Sequence, residues 1–308
     1  MDFSHKPVLL REAIESLDIR PDGVYIDGTA GGGGHSRAIA EKLTTGRLLS
    51  IDQDPDAIEV LRERLGAYPC ATVYRGNFAG MEEAARDCGA FPADGVLFDL
   101  GVSSYQFDNP ERGFSYQHDA PLDMRMSREG ASARDLVNTL SQRELAEVIL
   151  RYGEDRNARA IAQGIVRARE KAPIETTLQL AEIVKQSVPA KVRRQKGHPA
   201  RKTFQALRIR VNGEMDRLSE GLDAALRVLK PGGRLAVISF QSLEDRMVKR
   251  RMADWCQGCI CPPDFPVCVC GRKPRAKLLF RGGVPPSEKE IAANPRSRSA
   301  RLRVCIKL

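Results

Sequence analysis

Two groups of residues in this 308-residue chain have the types and spacing that chemistry needs. The first is the run Asp27-Gly28-Thr29-Ala30-Gly31-Gly32-Gly33-Gly34-His35-Ser36, followed by Asp52, Asn77-Phe78 and Asp99. Glycines at such a point allow a tight turn and let a ligand come close to the backbone, as a nucleotide-like molecule requires. The second is Cys256-x-x-Cys259-x-Cys261 with Cys268-x-Cys270, five of the eight cysteines within fifteen residues. Thiols this dense, separated by the turn-forming Pro262-Pro263, have the character of a zinc knuckle, with Cys259, Cys261, Cys268 and Cys270 the favoured ligand set; the alternative is a loop of free thiols.

The glycine run does not fit G-x-G-x-x-G. It fits the looser acidic-x-G-x-G-x-G of S-adenosylmethionine enzymes, with Thr29 in place of the first glycine. An acid at this point suits a cationic aminoacyl group better than a pyrophosphate. Asp52, 25 residues after Asp27, stands where an acid can accept both ribose hydroxyls. Phe78 can stack on an adenine or fill the core, and His35 can order the loop or touch the cofactor.

These residues need strands to place them. Val24–Asp27, Leu48–Asp52, Thr72–Tyr74 and Gly95–Asp99 read as short buried strands. Helical runs lie between them at Arg37–Leu43, Pro55–Leu65 and Met81–Cys88, and Val8, Leu9, Ala13, Ile14 and Leu17 mark another before the first strand. Repeated β-α-β predicts a parallel sheet covered by helices, with Asp27, Asp52, Asn77 and Asp99 at its carboxyl edge, where open α/β sheets bind ligands.

After Asp99 the alternation stops. Helical segments follow, with capping boxes at Ser141-x-x-Glu144 and Thr176-x-x-Gln179, a glycine exit at Gly153, and one long or broken helix from Phe204 to Leu229. Strand character returns at Arg234–Phe240 and Leu302–Ile306. The expected organisation is therefore an α/β core over 1–108 and 214–308, interrupted by a helical insert over 109–213, with a cysteine-rich loop at 256–270.

The formal net charge of +9 is unevenly spread. Lys185 to Arg210 holds nine basic residues and no acid, Arg246 to Arg281 nine against two acids, and Ile291 to the end five against none. Basic patches on an otherwise acidic body fit a polyanion such as RNA, although a solvated face is the plain alternative for any one run. An apolar content of 42% excludes a disordered tail, and no run is long enough to span a membrane. The first residues hold no apolar leader, so a cytoplasmic location is expected.

The chain closely resembles the RsmH (MraW) methyltransferases, which act on a cytosine of bacterial 16S rRNA. The matching segments run from end to end. They are His5-x-Pro7-Val8-Leu9-Leu10, the glycine run, Ile51-Asp52-x-Asp54-Pro55, Asp99-Leu100-Gly101-Val102-Ser103-Ser104-x-Gln106, Arg112-Gly113-Phe114-Ser115 and Pro121-Leu122-Asp123-Met124-Arg125-Met126, then Thr203-Phe204-Gln205-Ala206-Leu207-Arg208, Ser239-Phe240-x-Ser242-Leu243-Glu244-Asp245-Arg246 and Asn294-Pro295-Arg296-x-Arg298-Ser299. The resemblance implies a class I, Rossmann-like methyltransferase core with an inserted helical domain. It implies S-adenosylmethionine held by Gly33, Gly34, His35, Asp52, Phe78, Asp99 and Gln106, and methylation of the exocyclic N4 amine of a decoding-region cytosine, in 16S rRNA or the small ribosomal subunit. It lends no support to zinc.

An aromatic amine is a weak nucleophile because its lone pair is delocalised into the ring. The enzyme must hold it in line and accept its hydrogens. Asp99, or the Leu100 and Gly101 carbonyls, is expected to orient the amine, with Ser103 and Ser104 as secondary contacts. Phe107, Phe114 and Tyr116 can stack on an extruded base or pack in the core. Two other readings compete: a nicotinamide-dependent oxidoreductase on the same kind of sheet, and a non-catalytic RNA-binding assembly factor.

Overall fold

The computed structural model describes residues 7–195, 197–262 and 267–308; His5, Lys196, Pro263 and Asp264, which figure in the motifs and charge runs above, lie outside them. In chain order the first elements are α1 (Leu10–Leu17), β1 (Val24–Asp27), α2 (Gly34–Ala40), β2 (Arg47–Asp52), α3 (Pro55–Leu65), β3 (Ala71–Arg75), α4 (Met81–Asp87) and β4 (Ala93–Asp99). Helices follow without a strand: α5 (Ser104–Asp108), α6 (Ala133–Thr139), α7 (Gln142–Gly153), α8 (Ala158–Arg169), α9 (Thr177–Ser187), α10 (Ala190–Arg193) and α11 (Arg201–Asn212). The chain closes with α12 (Glu214–Val228), β5 (Leu229–Ser239), α13 (Ser242–Cys256), β6 (Ala276–Leu278), α14 (Glu288–Ala293) and β7 (Arg301–Lys307).

Two compact units result, one of residues up to Gly101 and from Asp216 to Leu308, the other Val102–Met215. The first is a seven-stranded sheet in the order β3-β2-β1-β4-β5-β7-β6. Strands β1 to β5 are parallel, and β7 enters antiparallel between β5 and β6. Tyr25, Ile26, Leu48, Leu49, Val96, Leu97, Phe98, Ala236 and Val237 are almost wholly buried, as strands with helices on both faces must be. Because β1 lies between β2 and β4, the crossovers leave it in opposite directions, and the carboxyl ends of these three strands flank the switch point where such sheets take their ligands.

The second unit packs α6, α7, α8, α9 and α11 around Leu145, Ile149, Ile161, Ile165, Leu180, Val184, Phe204 and Leu207. Both expected capping boxes form, and a third joins Ser132 to Asp135. The exit of α7 differs from the sequence reading: Glu154, not Gly153, takes the left-handed turn at φ 48°. Gly153 serves a close approach instead, since a Cβ there would lie 2.7 Å from the Lys202 carbonyl oxygen on α11. The helix expected from Phe204 to Leu229 breaks at Gly213 (φ 59°), which ends α11 before α12 begins.

The three aromatic residues weighed for base stacking sit in this unit's interior. Phe114 is buried, Phe107 packs against the same cluster, and Tyr116 stacks on His198 at 4.9 Å and meets the edge of Phe204 at 5.5 Å. Arg112 is also buried; its guanidinium donates to the carbonyls of Arg125 and Met126 at 3.0 Å, so a full charge is held by backbone dipoles.

Candidate active site

The site residues of the first unit come from the ends of β1, β2 and β4 and the start of α2. Leaving β1, the chain crosses the sheet edge: Gly28 N donates to Leu97 O (2.9 Å) and Ala30 N to Ile51 O (3.0 Å), so the loop is pinned to both neighbouring strands. Gly31 (φ 50°) and Gly33 (φ 78°) then take left-handed conformations, and a Cβ on Gly34 would run into the Pro7 ring. Those three glycines are required by backbone geometry before any ligand is considered.

Asp27 shapes the loop rather than facing outward. It is 1% exposed; its Oδ2 accepts from Ser36 Oγ at 2.7 Å and its Oδ1 from Thr29 N at 3.2 Å. Ser50 Oγ donates to Ser36 Oγ at 2.9 Å, which extends the network to β2. Burial pushes the Asp27 carboxyl up to about 6. An acid closed off in this way does not meet a cationic ligand directly, as its position at the end of strand one had suggested.

Asp52 is partly exposed at the end of β2. Its Oδ2 accepts from Gly31 N at 2.7 Å and its Oδ1 from Asp54 N at 2.8 Å, and the Gln53 backbone N–H donates to the same carboxylate, so capacity remains for about one further donor. Desolvation raises this carboxyl to about 6 as well. Phe78 follows β3 and is half-buried, its ring 5.0 Å from that of Phe98 and close to Gly221, where an added Cβ would lie 2.5 Å from Phe78 Cε2.

Asp99 ends β4, where Thr29 Oγ1 accepts from its backbone N–H at 2.5 Å. Its Oδ1 is buried and has no hydrogen-bond partner among the described residues, while Oδ2 lies 3.5 Å from His35 Nδ1. Burial first, and then the nearby Asp27 and Glu244 charges, push this carboxyl well above its ordinary range. His35 is 5% exposed, with Nε2 3.2 Å from the Val8 carbonyl oxygen. A carbonyl can only accept, so Nε2 carries a hydrogen and Nδ1 faces Asp99. The raised Asp99 carboxyl and His35 Nδ1 are thus positioned to share a proton.

The remaining expected residues belong to the second unit. Ser103 caps α5: its Oγ accepts from Gln106 N at 3.1 Å, and Gln106 Oε1 accepts from Ser103 N at 3.0 Å. Gln106 is 4% exposed, and Ser104 is the first residue of α5. The Ser-x-x-Gln spacing was a readable signal of this box. Thr29, Ser36 and Glu244 were missed as site residues although each stands in a quoted motif. Glu244 is 3% exposed and accepts from Phe240 N at 3.0 Å and Gln241 Nε2 at 2.7 Å.

The four thiols of the cysteine-rich loop do converge. The Sγ atoms of Cys259, Cys261, Cys268 and Cys270 all lie within 4.8 Å of one another. In the basic run, Lys191, Arg193, Arg194 and Arg201 are exposed and form no ion pair among the described residues, whereas Lys185 meets Glu182 and Arg208 holds Glu214 through two 2.8 Å bonds. No helix among the described residues is long and apolar enough to cross a membrane.

The chain is similar over nearly all its length to proteins named ribosomal RNA small subunit methyltransferase H. That of Symbiobacterium thermophilum is 55% identical, covering 100% of this chain and 98% of the relative. That of Lachnospira eligens is 51% identical over 99% and 98%, and that of a Paenibacillus species 50% identical over 99% and 100%. A family model described as the MraW methylase family matches residues 2–308, which sets aside the oxidoreductase reading. With its Rossmann-like sheet and acidic carboxyl edge, the chain belongs to the MraW methylase family.

Proposed function

We propose that this protein methylates the exocyclic N4 amine of a decoding-region cytosine in bacterial 16S rRNA, with S-adenosylmethionine as donor. The observation that carries the reading is the end-to-end family match at half identity to proteins named for small-subunit ribosomal RNA. The carboxyl edge supports it, because its donors and acceptors suit the cofactor. Asp52 keeps acceptor capacity for a ribose hydroxyl, the Gly31–Gly34 backbone lets a ligand approach closely, and Asp99 Oδ1 is a buried acceptor without a donor among the described residues. Gly33, Gly34, His35, Asp52, Phe78, Asp99 and Gln106 would hold S-adenosylmethionine, which supplies an electrophilic methyl group when bound.

What the chain must add is acceptance of N–H groups. Asp99 Oδ1 is placed to take an N–H donor, and a cationic or polarised N–H beside it favours its ionised form. Accepting a hydrogen of the target amine would localise the nitrogen lone pair as its new bond forms. The Leu100 and Gly101 carbonyls share that task, with Ser103 and Ser104 as secondary contacts. Lys191, Arg193, Arg194 and Arg201, exposed and without an ion pair among the described residues, suit RNA phosphates.

Methyl transfer from labelled S-adenosylmethionine to naked 16S rRNA and to small subunits, followed by nucleoside analysis, tests the reading. N4-methylated cytidine in either substrate is the expected product. Binding of both cofactor and RNA with no transfer would favour the assembly-factor reading.

A further inference from the structure

We propose that Cys259, Cys261, Cys268 and Cys270 form a structural zinc site of four thiolates that orders the loop between α13 and β6. The neck of this loop is closed by protein contacts. Arg272 donates to Asp254 Oδ1 and Asp254 O at 2.6 Å and to Gln257 O at 3.2 Å, and Arg275 N donates to Trp255 O at 2.7 Å. Beyond that neck, apolar packing among the described residues does not explain the convergence of the thiols. Ile260, Val267 and Val269, the apolar residues beside them, are 55%, 70% and 74% exposed. A loop excursion without a core needs another cross-link to offset its conformational entropy.

The sulfur geometry fits a tetrahedral ion. Cys259 and Cys268 Sγ are 3.4 Å apart, Cys268 and Cys270 3.6 Å, and Cys270 and Cys259 3.7 Å. Zinc–sulfur bonds of about 2.3 Å give a tetrahedron with edges of about 3.8 Å, close to all three spacings. The Cys261 backbone N–H points at Cys259 Sγ at 3.4 Å, a donor that stabilises a sulfur carrying negative charge. Four soft donors with no oxygen or imidazole among them select zinc over magnesium or calcium. A full set of four protein ligands leaves no open position, so the ion would be structural and take no part in methyl transfer. Arg272, Lys273 and Arg275 follow Cys270 within five residues, a basic stretch next in sequence to a site whose zinc tetrathiolate would carry a formal double negative charge.

The test uses the full chain purified without chelator. Elemental analysis is expected to find about one zinc per chain, released on titration of the thiols with a mercurial reagent. Cobalt(II) in its place should give the visible d–d bands and sulfur-to-metal charge transfer of a tetrahedral thiolate site. Cys268→Ser/Cys270→Ser should lose the metal, and Cys70→Ser/Cys88→Ser should keep it. If the first variant does not fold, the cobalt spectrum of the unaltered chain decides alone. The proposal is overturned by less than about a tenth of a zinc per chain after incubation with equimolar zinc chloride and desalting. Iron in place of zinc, or a cobalt spectrum without thiolate character, overturns it equally.

Discussion

The carboxyl edge of the sheet and the basic run of the helical unit carry opposite charge in opposite settings. At the edge, Asp27, Asp52 and Asp99 are desolvated and crowded, and each is raised above its ordinary range. In the helical unit, Lys191, Arg193, Arg194 and Arg201 stand in solvent without an ion-pair partner among the described residues. Desolvated charges recognise a small ligand by position and are barely screened, while solvated ones attract a polyanion from many directions and fade with salt. One region should therefore be sensitive to single atoms and to pH, the other to ionic strength.

The largest effect should come from Asp99 Oδ1, a buried oxygen without a hydrogen-bond partner among the described residues. Asp99→Ala is expected to lower kcat/KM for methyl transfer by about 10²- to 10³-fold, the scale of losing one preorganised polar contact to a reacting group. Full turnover with unchanged cofactor affinity would remove Asp99 from the chemistry. Next in size is reversal of four solvated charges. Lys191→Glu/Arg193→Glu/Arg194→Glu/Arg201→Glu should leave cofactor affinity unchanged and reduce the slope of log K for RNA against log salt by about 3. An unchanged slope would mean that this face does not meet RNA.

The raised carboxyls carry a stability consequence of definite sign. Asp27 holds its proton to about pH 6 in the folded chain but to about 3.8 when unfolded, so the folded state binds more protons between these values. Stability of the cofactor-free protein should therefore fall as pH rises from about 4 to about 6. Asp27→Asn should flatten that dependence and raise stability at pH 7 by about 1 to 3 kcal/mol, read from urea unfolding. A loss of stability instead would show that the Ser36 and Thr29 hydrogen bonds outweigh desolvation. By the same logic, an N–H donated to Asp99 Oδ1 on cofactor binding should lower its raised carboxyl and release protons. Calorimetry in buffers of differing ionisation enthalpy would detect the release, and Asp99→Asn should abolish it.

Periodicity made the core of this fold readable. Short buried strands alternating with amphipathic helices put Asp27, Asp52 and Asp99 at one edge from the sequence pattern alone, and α3 has the expected bounds Pro55–Leu65. What escaped was set by three-dimensional packing. Helix α13 buries only Glu244, Val248, Met252 and Trp255 amid charged residues, so its periodic signal is thin. Strand β6 has three residues and exists only through its pairing with β7. That Asp27 is closed and Asp99 open depends on where Ser36 and Thr29 fall, contacts that spacing alone does not specify. The convergence of the four thiols was legible as a pattern, because cysteine density is itself the signal.

The smallest effect sharpens the contrast most, because it asks what one solvated charge does. Lys191→Gln should reduce the RNA salt slope by about 0.7 to 0.9, the share of a single phosphate contact, and weaken binding only a few-fold at moderate salt. At saturating RNA its kcat should not move, since a charge that holds the backbone equally in ground and transition states contributes only uniform binding. A large fall in kcat would mean that Lys191 positions the target base, and the basic face would then share the atom-level sensitivity assigned to the carboxyl edge.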